Sequence, residues 1–216
     1  MYTPPSLHGS IIYPFAGGGV NWGGGAFDPT TGLYIVNSMN RADVVRLIPR
    51  ADYAAARAAE PKAEIGSGLG TPYAAERTPL FSPLGIPCNA PPWGTLAAID
   101  LPAGTIRWQV PLGSTAMGWI RGLPNLGGPI VTASGLVFIA AARDDKLRAF
   151  DVATGKELWQ APLPAGGQAT PMTYVAGGRQ FVVIAAGGNH RMGTRFGDAV
   201  VAFALPSPPG NPGSPP

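Results

Sequence analysis

The chain has 216 residues, of which 31 are glycine and 25 proline. In a polar chain that share would signal low complexity, but 45% of the residues are hydrophobic, so disorder throughout is excluded. Only 12% are charged and the net charge is +3, which excludes long solvated helices, coiled coils and a basic nucleic-acid surface.

Read along the chain, the first regular element is a β-hairpin. Gly25–Val36 places a glycine turn (Thr31-Gly32) before a bulky strand, Leu33-Tyr34-Ile35-Val36. Residues 40–92 then interrupt the pattern. An alanine-rich stretch within Arg50–Ala63 predicts a short helix that stops before Pro61, and Thr71–Trp93 is a proline-rich excursion. Insertions of this kind at one end of a β-fold often carry function.

Strand patterns resume at Leu96–Trp108. Gly128–Ile139 repeats the first hairpin with the same spacing of glycine, Gly-Leu and bulky apolar pair. Leu147–Trp159 repeats Leu96–Trp108, with Ala149/Ala98, Asp151/Asp100, Gly155/Gly104 and Trp159/Trp108 at one constant offset. The Asp-x-x-x-Gly core of that repeat predicts a turn, because aspartate bonds to nearby backbone N–H groups and glycine accepts a positive φ. Asp28 is assigned the same turn-forming role. A looser third hairpin, Gly167–Ile184, turns at Gly177-Gly178. Each unit is therefore expected to be a four-stranded antiparallel meander ending in a buried tryptophan, and radially repeated meanders make a β-propeller. The fold class is all-β, a partial propeller of about three blades. Residues 1–205 form it, with the insertion at 40–92, and the Pro/Gly/Ser tail 206–216 is expected to be disordered.

Catalytic candidates are few. His8 and His190 stand far apart and Cys88 is single, so neither a Cys/His metal cage nor a Ser-His-Asp set is expected. Cys88 is expected to be a buried, inert thiol. No apolar run reaches the roughly 20 residues of a membrane span, and the first residues lack a signal-peptide pattern.

The segment from Ala142 through Asp144, Arg148, Ala149 and Gly155 to Trp159 resembles the Trp-docking motif of quinoprotein alcohol dehydrogenases. The copy around Trp108 keeps only the second half, with Pro91 and Trp93 where alanine and aspartate would stand. Asn21–Pro29, Leu47–Arg50, Ser82–Gly94, Asn125–Pro129 and Leu163–Tyr174 resemble the C-terminal part of the membrane-bound glucose/quinate/polyol dehydrogenase branch. That resemblance implies an eight-bladed propeller, of which this chain supplies under half, with the missing N-terminal blades or self-association covering its open edges. It implies pyrroloquinoline quinone (PQQ) as cofactor, Ca²⁺ or Mg²⁺ as an activating ion whose ligands are not in this chain, and ubiquinone as electron acceptor at the periplasmic face of the inner membrane. The substrate is a sugar, polyol or hydroxy acid. The catalytic aspartate and a quinone-contacting lysine would lie upstream.

By the same resemblance Asn37 is assigned to the quinone, Trp22 to its wall, and Asn189 and His190 to a substrate loop. Glucose-oxidising relatives carry histidine directly after the two glycines, where this chain has Asn189; the shift favours quinate or polyols. Asp144 and Arg148 are read as a structural ion pair, and Trp108 and Trp159 as docking residues. The alternative is a non-enzymatic propeller scaffold, like outer-membrane assembly proteins that share Trp-docking repeats.

Overall fold

The computed structural model describes residues 3–15 and 18–206; the tail from 207 onward, expected to be disordered, lies outside them. All regular structure but one short helix and a 3₁₀ turn is strand. The first blade joins β2 (Gly25–Asp28), β3 (Leu33–Met39), β7 (Gly94–Asp100) and β8 (Thr105–Pro111) in that order. The second joins β9 (Ile130–Val131), β10 (Leu136–Ile139), β11 (Lys146–Asp151) and β12 (Glu157–Pro162). Among the described residues the third has three strands, β13 (Met172–Ala176), β14 (Arg179–Ala186) and β15 (Ala199–Ala204). All pairings are antiparallel, and the first strands β2 and β9 pack together.

The cores lie between blades. Leu33, Ile35, Leu96 and Ala98 of the first blade meet Val137, Ile139, Phe150 and Val152 of the second. The other side of the second blade, through Phe138, Ala140 and Leu147, meets Val182 and Ile184 of the third. This explains why Leu136-Val-Phe-Ile139 is apolar without alternation: a sheet covered on both faces has no wet side. Burying each such side chain stabilises the stack by about 1.5–3 kcal/mol.

Segment 40–93 departs after Met39 and returns at Gly94, its register partner. It is more structured than the sequence suggested. β4 (Asp43–Pro49), β5 (Glu64–Gly66) and β6 (Tyr73–Pro79) join β1 (Ser10–Ile12) in a separate sheet ordered β1-β4-β6-β5. The helix expected within Arg50–Ala63 is α1 (Tyr53–Ala59), whose Tyr53 and Ala56 cover Ile48, Ile65 and Ala74. The interruption hides strands because their partners come from both sides of the helix and from residue 10, so no local repeat reveals them.

Two expectations are corrected. Trp159 is 39% exposed rather than buried. The ring of Trp108 rests on Gly155 of the next blade's turn and its Nε1 donates to the Val152 carbonyl at 2.9 Å. Trp159 meets Phe203 edge-on at 5.3 Å, and β15 runs into Leu205-Pro206 instead of an Asp-turn that would cover it. Cys88 is exposed, because it sits in the loop of the inserted segment rather than in a core.

The three aspartate turns share one geometry. Asp28, Asp100 and Asp151 accept from the backbone N–H of Thr30, Ala103 and Thr154, and Gly32, Gly104 and Gly155 close the turns with positive φ. The Thr31 and Thr154 hydroxyls donate to Asp28 and Asp151 and hold both carboxyls below the usual aspartate range. A folded-state pKa below the unfolded value near ~3.9 adds stability above that pH, lost as pH falls through the folded value. A Thr31→Val/Thr154→Val double variant is therefore expected to melt below the parent at pH 7 and to converge on it as pH falls below about 4, as followed by circular dichroism.

Candidate functional site

The strand directions separate two ends of the blades. Tight turns at 29–32, 101–104, 132–135, 152–156 and 177–178 lie at one end. Segments 40–93, 112–129, 140–145, 163–171 and 187–198 all emerge at the other. Polar residues that the turns do not need are buried at this loop-rich end.

Asn37 occupies the parity of Leu33 and Ile35 on β3, so it faces the second blade and is 5% exposed. Its Nδ2 donates to Asn125 Oδ1 at 2.7 Å and to the Gly127 carbonyl at 3.1 Å. Asn125 Nδ2 donates in turn to the Ser38 carbonyl at 2.9 Å. Because a backbone carbonyl can only accept, both amide orientations are fixed. Both Nδ2 protons of Asn37 are thereby used, and its buried Oδ1 has no partner.

The belt continues across the blades. Ala141, at φ +56°, presents its carbonyl to Leu126 N–H at 3.0 Å and to Gln168 Nε2 at 3.4 Å. Gln168 Oε1 accepts from the Thr194 hydroxyl at 3.0 Å, and Thr194 Oγ1 accepts from the Asn189 N–H at 2.8 Å. Asn125, Gln168 and Thr194 are all buried. A non-glycine residue in the left-handed region costs about 1–3 kcal/mol, a strain that the surrounding bonds must hold. Glycines allow the close approach: a Cβ on Gly23 would overlap the Gly127 carbonyl, and one on Gly127 would stand 2.7 Å from the Gln168 carbonyl oxygen.

The assigned residues divide accordingly. Asn37 and Asn189 lie at the two ends of this belt. Trp22 adjoins Gly23 but is 65% exposed, and its backbone N–H donates to Asn21 Oδ1 at 2.7 Å. His190 is exposed in a tight loop where its carbonyl accepts from Gly193 N–H, while Asn189 Oδ1 accepts from Met192 N–H at 3.1 Å. Asp144 makes no bond to the belt residues: it pairs with buried Arg148 through both oxygens and accepts from Ser114 N–H at 3.0 Å. Ala142 is buried in the core between the first and second blades, and Ala149 is buried on β11. Asn125, Gln168 and Thr194 had no role in the sequence reading, although the first two lie in the quoted Asn-Leu-Gly-Gly-Pro and Gly-Gly-Gln stretches; an uncharged amide flanked by glycines was the available signal.

Among the described residues no cluster of three His, Cys, Asp or Glu could hold a metal ion, and no helix is long and apolar enough to cross a membrane. The belt holds no carboxylate, and among the described residues the buried side-chain atom it leaves unpartnered is an acceptor, Asn37 Oδ1, which a quinone ring N–H would fit.

Residues 1–182 match the family model described as PQQ: glucose/ethanol/alcohol dehydrogenase, beta-propeller domain. The chain is 41% identical to the quinoprotein glucose dehydrogenase of Escherichia coli (strain K12), over 95% of this chain and 28% of the relative. It is 45% identical to a probable quinate dehydrogenase (quinone) of Xanthomonas campestris pv. juglandis, with the same coverage. Identity to the glycerol dehydrogenase large subunit of Gluconobacter oxydans (strain 621H) is 42%, over 95% of this chain and 31% of that subunit. Among solved structures, the quinohemoprotein alcohol dehydrogenase from Comamonas testosteroni superposes with a TM-score of 0.60 at 26% identity, over 90% of this chain and 28% of that one. The chain thus spans under a third of the length of these relatives.

Proposed function

The chain belongs to the PQQ glucose/ethanol/alcohol dehydrogenase β-propeller family, and from that premise we propose that its loop-rich end forms one side of the quinone and substrate site of a dehydrogenase acting on a sugar, polyol or hydroxy acid. The observation that carries this reading is the orphaned Oδ1 of Asn37. A buried acceptor without a partner costs about 1–3 kcal/mol, and a ligand that donates to it would remove that penalty. With both Nδ2 protons committed, Asn37 acts as an acceptor, for a ring N–H of the quinone or a substrate hydroxyl. An amide can in general both donate and accept; here only the accepting side of Asn37 is open.

When bound, PQQ supplies the two-electron acceptor that no side chain of this set can provide, with a divalent cation beside it. Asn37 orients a donor group, the exposed Trp22 offers a ring face to the site, and the Asn189–His190 loop borders the substrate. The base that takes the hydroxyl proton, the lysine that contacts the quinone and the cation ligands belong to parts of the family's fold that this chain does not span. Electrons pass to ubiquinone at the periplasmic face of the membrane. The remaining blades, or a second copy, cover the outer edge of β15, where Val200 is exposed.

The test is PQQ binding in the presence of Ca²⁺, followed by cofactor absorbance. Asn37→Leu is expected to weaken it about tenfold or more, and equal affinity in the two proteins would overturn the assignment. The 216-residue chain alone is expected to reduce no dye with glucose, glycerol or quinate; robust turnover would overturn the placement of the base outside it.

A further inference from the structure

A cation without a counter-charge stands beside this belt. Arg143 follows Ala141 and Ala142 in the turn between β10 and β11, and no described residue forms a hydrogen bond or ion pair with its guanidinium. The two carboxylates next to it in sequence are engaged elsewhere. Asp144 is committed to Arg148 and Ser114, and Asp145, at φ +49°, points its Oδ2 to Arg195 Nε at 3.8 Å.

The charge that does act on Arg143 is of like sign. Arg41, at the start of the inserted segment, is pinned by Asp43 at 3.0 Å and by the ring faces of Phe15 and Phe81 at 5.2 and 5.8 Å. Partial desolvation, and then the Arg41 charge, lower the Arg143 pKa. On the other side Gly193 leaves room: a Cβ there would stand 3.3 Å from Arg143 Nη2, so the guanidinium lies against the loop that carries Asn189 and His190. That loop reaches the inserted sheet through Arg191 Nη1 and Glu64 Oε1 at 3.3 Å. Arg143 is thus exposed to water but flanked by segments from the first and third blades.

We propose that Arg143 is the anchor for a carboxylate group of the ligand bound at this end of the blades. A guanidinium offers paired N–H donors that match a carboxylate, and an anion there would offset the repulsion between Arg143 and Arg41. The carboxylate has two possible sources, a hydroxy-acid substrate or the quinone cofactor, which itself carries carboxylates. The inference rests on reading this face as the dehydrogenase site, and the experiment separates the two.

Arg143 is exposed and makes no structural bond, so Arg143→Gln leaves the fold intact. The probes are quinate, its uncharged methyl ester, and PQQ with Ca²⁺, each titrated into the full chain while the ¹⁵Nε resonance of Arg143 is followed by NMR. If the substrate supplies the carboxylate, quinate shifts this resonance and its methyl ester does not, and Arg143→Gln weakens quinate binding about tenfold while PQQ affinity stays unchanged. If the cofactor supplies it, PQQ shifts the resonance and the same variant weakens PQQ binding about tenfold. Binding of PQQ and quinate with no shift and no loss in Arg143→Gln overturns the anchor but leaves the proposed function standing. A quinate response without any PQQ binding overturns the proposed function but supports the anchor, and no binding of either probe overturns both.

Discussion

Replacing Asp144 with alanine is expected to destabilise the protein by about 3–5 kcal/mol. Arg148 is 2% exposed, and without Asp144 its guanidinium would face only Glu157, at 3.4 Å. The Ser114 N–H would lose its acceptor as well, and with it one of the bonds that tie the 112–129 segment to the second blade. Chemical denaturation of Asp144→Ala measures the loss. A double variant, Asp144→Leu/Arg148→Met, is expected to recover at least half of it, because a buried charge without a partner is costlier than an apolar pair of similar volume. Purely additive losses in that cycle would show that the two side chains do not act as a pair.

Gly23→Ala is expected to have the second large effect, about 3 kcal/mol, and to reach the candidate site directly. The added methyl would overlap the Gly127 carbonyl and the Gly128 nitrogen, which are backbone atoms that no rotamer change can move aside. The Gly127 carbonyl is also an acceptor for Asn37. Displacing it frees one Nδ2 proton and loosens the orientation of the whole amide. The variant is therefore expected to lose PQQ affinity together with thermal stability. Gly24→Ala is the control: at φ +63° it is strained, but its methyl would meet no atom within 4 Å, so its cost should remain near 1 kcal/mol without loss of PQQ affinity.

The contrast between the docking motif and the belt shows what kind of information was legible in the residues. The Asp-x-x-x-Gly turns, the Gly177-Gly178 hairpin and the strands after each glycine are local. Their bonds join residues two to four apart, and a backbone with positive φ selects glycine whatever lies around it. The repeat of these local units was enough to identify an all-β stack of meanders, and the Trp-docking motif from Ala142 to Trp159 carried the resemblance to its family. The same reasoning failed for Trp159, since the burial of a docking tryptophan depends on the turn of the following blade, where this chain has Leu205-Pro206. It also missed the sheet of the inserted segment, whose strands pair across a helix and with residues 10–12.

Outside the inserted segment, the composition and spacing of the chain were sufficient for the strands of the blades, their turns and their order, because those follow from backbone geometry and from hydrophobic alternation over a few residues. The candidate site was not available at that level. Asn37, Asn125, Gln168 and Thr194 form a belt only because three blades bring their loop-rich ends together, and an amide becomes an orphaned acceptor only when packing removes the water that would otherwise satisfy it. Arg143 reads in sequence as one more surface cation; its missing counter-charge became evident once the fold had turned Asp144 and Asp145 toward other partners.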